Sequence, residues 1–194
     1  HLNSYWELQK WSVENPGDFW SLAWDDMDVL GRKGNEYFNP GSDFISSRFF
    51  PDATLNVAEN LLARGLDNDP AIIEILETGA RHELTWKELR ERVAATAAAM
   101  RSEGVAKGDR VAAWSSNVSE VVIWGLAALS IGAIVSTASP DFAPNAVEDR
   151  FGQIEPKLLL VADEYFYAGK HFVLDSKISE IEKLLPTVKK VIRR

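Results

Sequence analysis

The chain has 194 residues, 46% of them hydrophobic, enough for one core or slightly more and too many for a disordered tract. Its 29 acidic and 21 basic side chains leave a formal charge of −8, which argues against a broad surface for nucleic acid or anionic membrane. Cysteine is absent, so disulfides, thiolate zinc sites and a cysteine nucleophile are excluded. The three histidines, His1, His82 and His171, lie far apart and make a poor metal set. No apolar run reaches the roughly 20 residues that span a bilayer, and no basic segment leads into an apolar stretch as in a secretory signal. These features fit a soluble, cytoplasmic setting.

The first 51 residues are aromatic and irregular. Spacing predicts one helix near Ser4–Val13. A second starts after Asn15 and Pro16, a cap residue followed by proline at the first helical position. Phe19, Trp20, Ala23, Trp24 and Met27 recur on one face of it. Trp20 and Trp24 are therefore expected to be largely buried against a larger body. Residues 31–51 read as an extended crossing segment rich in Gly, Asn, Pro and Ser.

From Leu55 the pattern becomes regular. A short helix is expected over Asn56–Arg64. Ala71–Leu76 and Arg81–Leu84 flank Glu77-Thr78-Gly79 as a hairpin. Thr85 and Glu88 form a capping box for a long helix with Leu89, Val93, Ala97 and Met100 on one face and Gly104 at its end. Strands are expected over Asp109–Trp114, Ala133–Thr137, Lys157–Ala162 and Val188–Ile192. Helices are expected over Ser116–Ile131, Asn145–Ile154 and Ile178–Leu185. Such alternation, with apolar strands, predicts an α/β fold: a mostly parallel sheet flanked by helices and preceded by an aromatic-rich helical arm. A chain that stops at Arg194, in or just after a strand, reads as a fragment.

Ligands of such sheets collect at the carboxyl ends of the strands. Three candidate loops follow. Trp114-Ser115-Ser116-Asn117 would open a helix, as caps or as an anion site. Ser136–Phe142 is polar and carries hydroxyls, which suits a ligand or a turn equally. In Asp163–His171, the tyrosines and Lys170 would stack on and neutralise a nucleotide, or simply be solvated. Asp25-Asp26 and Asp67/Asp69 are acid pairs without a second partner, and Glu148, Asp149 and Arg150 read as surface charges. The sequence has no phosphate-loop, dinucleotide-binding or serine-hydrolase signature.

Several phrases together resemble the AMP-forming acyl-CoA synthetases, the adenylate-forming superfamily. Leu84-Thr85-Trp86-Lys87-Glu88-Leu89 is similar to that family's T-[YW]-x-E-L motif. Gly104-Val105-Ala106-Lys107-Gly108-Asp109-Arg110-Val111 is similar to its G-V-x-K-G-D-R-V phrase. Ala127-Ala128-Leu129-Ser130-Ile131-Gly132-Ala133 resembles the core segment that follows. Trp11-Ser12-Val13, Asp18-Phe19-Trp20 and Leu55–Leu62 resemble the amino-terminal extension shared by the family's acetate and acetoacetate branches. Ser139-Pro140-Asp141-Phe142, with Asp149-Arg150-Phe151 and Pro156-Lys157-Leu158, resembles the acetoacetate-specific branch, where acetate and propionate branches carry F-G-G-F.

The resemblance implies an extension over residues 1–54 and the first part of an AMP-binding domain over 55–194. It implies a reaction that uses ATP, Mg²⁺, CoA and acetoacetate, through an acyl-adenylate. The family's phosphate loop, adenine-binding segments, hinge aspartate and catalytic lysine would lie past Arg194. No catalytic residue and no metal ligand is therefore expected here, no cofactor should be tightly held, and the remainder of the chain is an expected partner. The resemblance assigns Ser139, Pro140, Asp141, Tyr167 and Lys170 to CoA, with Tyr167 standing where relatives carry arginine. Two other readings stay open: a ligase for another short acid such as acetate or propionate, and a non-catalytic α/β module derived from the family.

Overall fold

The computed structural model describes residues 3–194. Of the three histidines, His1 lies outside the described residues. The chain divides into two compact units, one ending at Asn60 and one comprising Leu61–Arg194.

In the first unit, α1 (Tyr5–Glu14) is capped by Ser4, whose side chain accepts from the Glu7 N–H. Helix α2 (Pro16–Asp26) starts on proline, as the sequence predicts. The crossing segment forms two small ladders. β1 (Gly31–Arg32) pairs with β4 (Thr54–Leu55), and β2 (Phe38–Asn39) pairs with β3 (Arg48–Phe49), both antiparallel. The aromatic residues pack on one another: Trp24 on Phe50 at 5.1 Å, Phe38 on Phe49 at 4.8 Å, and Trp20 edge-on to Phe49 at 6.1 Å. The expectation of largely buried tryptophans is corrected for Trp20, while Trp24 is partly buried. Trp20 is 45% exposed, and neither α1 nor α2 holds a buried residue. Trp20 meets Phe19 and Phe49 edge-on, and edge contacts leave much of the ring surface in water. Asp25 is held by Lys33 at 2.7 Å.

The second unit follows α3 (Val57–Leu62), which spans the boundary. β5 (Pro70–Ile75) and β6 (Arg81–Thr85) form the expected hairpin. The Thr85–Glu88 capping box is formed in both directions and starts α4 (Trp86–Ser102). Leu89, Val93, Ala97 and Met100, at helical spacing, are all buried. Asp67 is paired with Arg90 at 2.5 Å, so this acid has a partner.

The remaining elements are β7 (Arg110–Trp114), α5 (Ser119–Ser130), β8 (Ile134–Ala138), α6 (Pro144–Phe151), β9 (Leu158–Val161), β10 (Glu164–Tyr167), β11 (Lys170–Val173), α7 (Asp175–Leu184) and β12 (Lys190–Arg193). β12, β9, β7 and β8 form one parallel sheet in that order. The α/β expectation thus holds. Helices α4 and α5 pack together, as do α6 and α7. The α6–α7 layer closes a core of Trp114, Val147, Phe151, Leu159, Val161, Ile178 and Ile181, all buried. At the opposite edge Asp109 clamps the turn before β7. Its carboxylate accepts from the Ala106 N–H at 2.7 Å and pairs with Lys157 at 2.6 Å. The Lys157 hydrogen bond, then that from Ala106, holds this acid below the usual aspartate range.

Candidate functional site

The carboxyl ends of the four parallel strands point the same way, and the three loops read from the sequence leave from them or from their continuation. The first and third are built differently from their expectations, and the second takes one of the two forms left open for it.

The first does not open a helix at Ser116. α5 starts three residues later, at Ser119, and none of its neighbouring side chains caps it. The acceptor comes instead from β5. Glu74 is 8% exposed, and its Oε2 accepts the Ser119 N–H at 3.0 Å from 45 residues away. A carboxylate there also faces the positive end of the helix dipole. Arg194 stands 3.8 Å from the other Glu74 oxygen and 2.7 Å from Glu120. Burial pushes the Glu74 carboxyl up, but the hydrogen bonds from Ser119 and the charges of Arg194 and His82 together hold it below the usual range. With capping taken over by Glu74, Ser116 and Asn117 line a cavity of about 540 Å³ with Thr78, Glu164, Phe166 and Arg194.

The second loop is a turn. The Phe142 N–H donates to the Ser139 carbonyl at 3.2 Å, and the Ser115 N–H donates to the Ala138 carbonyl at 3.1 Å, tying it to β7. Pro140 is buried, while Ser139 and Asp141 are exposed. Phe142 anchors the turn. It packs on the α6–α7 core, and the Arg150 guanidinium lies 4.3 Å from its ring centre. Arg150 is thus more than a solvated surface charge. α6 opens on Pro144, one residue before the expected start.

The third segment is not a loop but a β-hairpin of β10 and β11. Stacked cross-strand pairs zip it: Tyr165 on Phe172 at 4.9 Å and Phe166 on His171 at 4.7 Å, with His171 Nε2 2.8 Å from Glu164. Tyr167 and Lys170 are directly opposed beside the Ala168-Gly169 turn, so their side chains share one face of the ribbon. By the alternation of strands, Tyr165 is on that face too. Tyr165 contacts the core, and its phenol is pushed up by burial first and by the Asp141 charge second. The hairpin face that carries Tyr167 and Lys170 is therefore the one whose base feels the charge of Asp141. Tyr167 is 67% exposed, and the Lys170 ammonium makes no ion pair among the described residues. This face is amphipathic and cationic at its tip. It suits a ligand with an aromatic base and phosphates.

Glu74 escaped the sequence reading, although a lone acid inside Ala-Ile-Ile-Glu-Ile-Leu was the signal for it. Among the described residues, no group of three His, Cys, Asp or Glu side chains gathers to hold a metal, and no helix is long and apolar enough to cross a membrane.

The match to known proteins agrees with this architecture. A model of the AMP-binding enzyme family matches residues 62–193, and the chain belongs to that family. Within it, the chain is 44% identical over 186 residues to an acetoacetyl-coenzyme A synthetase of Rhizobium meliloti (strain 1021), across 95% of this chain and 28% of that protein. It is 40% identical over 195 residues to an acetoacetyl-CoA synthetase of Macaca fascicularis, across 98% of this chain and 29% of that protein. The solved acetoacetyl-CoA synthetase from Streptomyces lividans superposes with a TM-score of 0.89 at 34% identity, over 98% of this chain and 30% of that one. The chain thus spans under a third of the length of these relatives.

Proposed function

We propose that this chain is the amino-terminal part of a cytoplasmic AMP-forming acetoacetate–CoA ligase. The reaction converts ATP, acetoacetate and CoA to AMP, diphosphate and acetoacetyl-CoA. Residues 1–54 are the extension and 55–194 the first part of the AMP-binding domain. The observation that carries this reading is the 44% identity to an acetoacetyl-coenzyme A synthetase across 95% of the chain.

Two displacements make up the reaction. A carboxylate oxygen of acetoacetate attacks the α-phosphorus of ATP, and the bond to diphosphate breaks. The sulfur of CoA then attacks the acyl carbon, and AMP leaves. No catalytic residue of either step is assigned to residues 1–194. Mg²⁺ would neutralise the phosphates of ATP, but the described residues offer it no cluster of acids.

The contribution assigned to this chain is to the second displacement. Lys170 supplies a point charge to the phosphates of the CoA nucleotide. Tyr167, in place of a second cation, stacks on the adenine and forms no ion pair. Ser139, Pro140 and Asp141 run beside CoA, with buried Pro140 fixing the turn.

The test uses the full-length protein that contains this chain. Diphosphate exchange into ATP is measured with acetoacetate, acetate and propionate in turn, followed by thioester formation with CoA. Exchange driven best by acetoacetate is expected. Exchange driven only by acetate or propionate would assign a different acid, and exchange with none would refute the ligase.

A further inference from the structure

The tip of the β10–β11 hairpin carries a conformational cost. Its two turn residues, Ala168 and Gly169, have φ of +51° and +71°. A two-residue turn with both residues in the left-handed region matches the twist of the ribbon and favours Asn-Gly or Gly-Gly. Glycine meets that demand freely at position 169. Alanine at 168 does so against its Cβ. Tyr167 and Lys170, the two residues assigned to the CoA nucleotide, flank this turn on either side.

A second hairpin reaches the same turn. Glu77, in the turn between β5 and β6, accepts the Gly169 N–H on its Oε1 at 3.3 Å, across 92 residues. The end of β5 that leads into this turn is fixed. Glu74, three residues earlier on β5, is buried and bonded to the start of α5. A weak contact can position a loop when its own support is rigid, and here one carboxylate anchors the support while the other meets the tip. Resting on the CoA reading above, we infer that Glu77 is a positioning residue for CoA. Its carboxylate oxygen holds the strained Ala168-Gly169 turn so that Tyr167 and Lys170 face the nucleotide.

The charge of Glu77 and its accepting oxygen act in opposite directions, which makes the inference testable. The charge repels the phosphates of CoA, so removing charge alone should tighten CoA slightly. Removing the acceptor should loosen it. Glu77→Gln keeps an accepting oxygen without the charge, and Glu77→Ala loses both. In the full-length enzyme, Glu77→Ala should raise the Michaelis constant for CoA about 3- to 10-fold, the value of one ordinary hydrogen bond. Glu77→Gln should stay within about twofold of the parent or fall below it. Acetoacetate-driven diphosphate exchange without CoA should be unmoved in both. Amide exchange of the peptide containing Gly169 should quicken in Glu77→Ala alone.

Lys170→Ala is the control for the underlying reading. If it raises the constant for CoA and Glu77→Ala does not, Glu77 has no positioning role and the CoA site stands. If Lys170→Ala itself leaves CoA unaffected, the CoA reading fails and this inference fails with it. Glu77→Gln as impaired as Glu77→Ala would refute the tether, and so would an equal loss of diphosphate exchange, which would mark Glu77 as a support of the whole fold.

Discussion

Replacing Glu74 by alanine tests how the carboxyl edge of the sheet is held. The substitution removes the side-chain acceptor that Glu74 offers the start of α5 and orphans the Ser119 N–H in a buried setting. An unsatisfied buried donor costs about 1–3 kcal/mol, and the charge at the helix start contributes up to about 1 kcal/mol more. The expected loss is therefore about 1–4 kcal/mol. Glu74→Gln keeps an acceptor for Ser119 and loses only the charge, so it should cost about 1 kcal/mol. Equilibrium urea denaturation of parent and variants reads both values, provided that the slope with denaturant is unchanged. The pH dependence has a definite sign. The folded state holds this carboxyl below its unfolded value, so its contribution is complete above about pH 4.5 and is lost as pH falls through the folded value. The gap between parent and Glu74→Gln should accordingly close on acidification. A loss below about 0.5 kcal/mol for Glu74→Ala, well under the value of one orphaned donor, would refute the capping role. A gap that widens in acid would refute the electrostatic part.

Phe151→Ala should destabilise by about 3–5 kcal/mol in thermal or urea unfolding, since the ring is fully buried between α6 and the sheet. Trp20→Ala should cost clearly less, because Trp20 is 45% exposed and leans on Phe49. Ala168→Asn should stabilise the protein by about 1 kcal/mol, as it suits the left-handed turn position better; a lowered melting temperature would contradict the turn geometry. Asp109→Asn should lower the melting temperature at neutral pH through loss of the Lys157 partner, and the difference should vanish in acid as Asp109 itself is neutralised.

The parallel sheet was legible because its strands are apolar runs separated by amphipathic helices. Leu158–Val161 is buried on both faces and could hardly be anything else. α4 was legible to the residue, because Thr85 and Glu88 announce its start in local chemistry. The candidate site was less so. Tyr165-Phe166-Tyr167 and His171-Phe172 do not alternate apolar with polar, so they carry no period-two signal. Their strands exist because rings stack across the ribbon, a pairing that appears only once the turn is formed. The start of α5 was misplaced because its cap is supplied by Glu74 from another hairpin rather than by Ser116 or Asn117. Long-range capping leaves no trace in local spacing. The tryptophans of α2 were read correctly as one helical face, but periodicity gives direction and says nothing about how much surface the partners cover.

The most direct test of the account is the split between the two half-reactions in Lys170→Ala. Lys170 is exposed at the tip of the hairpin and makes no ion pair among the described residues, and its one assigned task is a charge for the phosphates of CoA. A charge-assisted contact of about 1–3 kcal/mol corresponds to a rise of roughly 5- to 150-fold in the Michaelis constant for CoA in the full-length enzyme. Diphosphate exchange driven by acetoacetate precedes CoA binding and should stay at the level of the parent. An unchanged constant for CoA, or an equal fall in both assays, would contradict the assignment of this edge of the sheet to CoA.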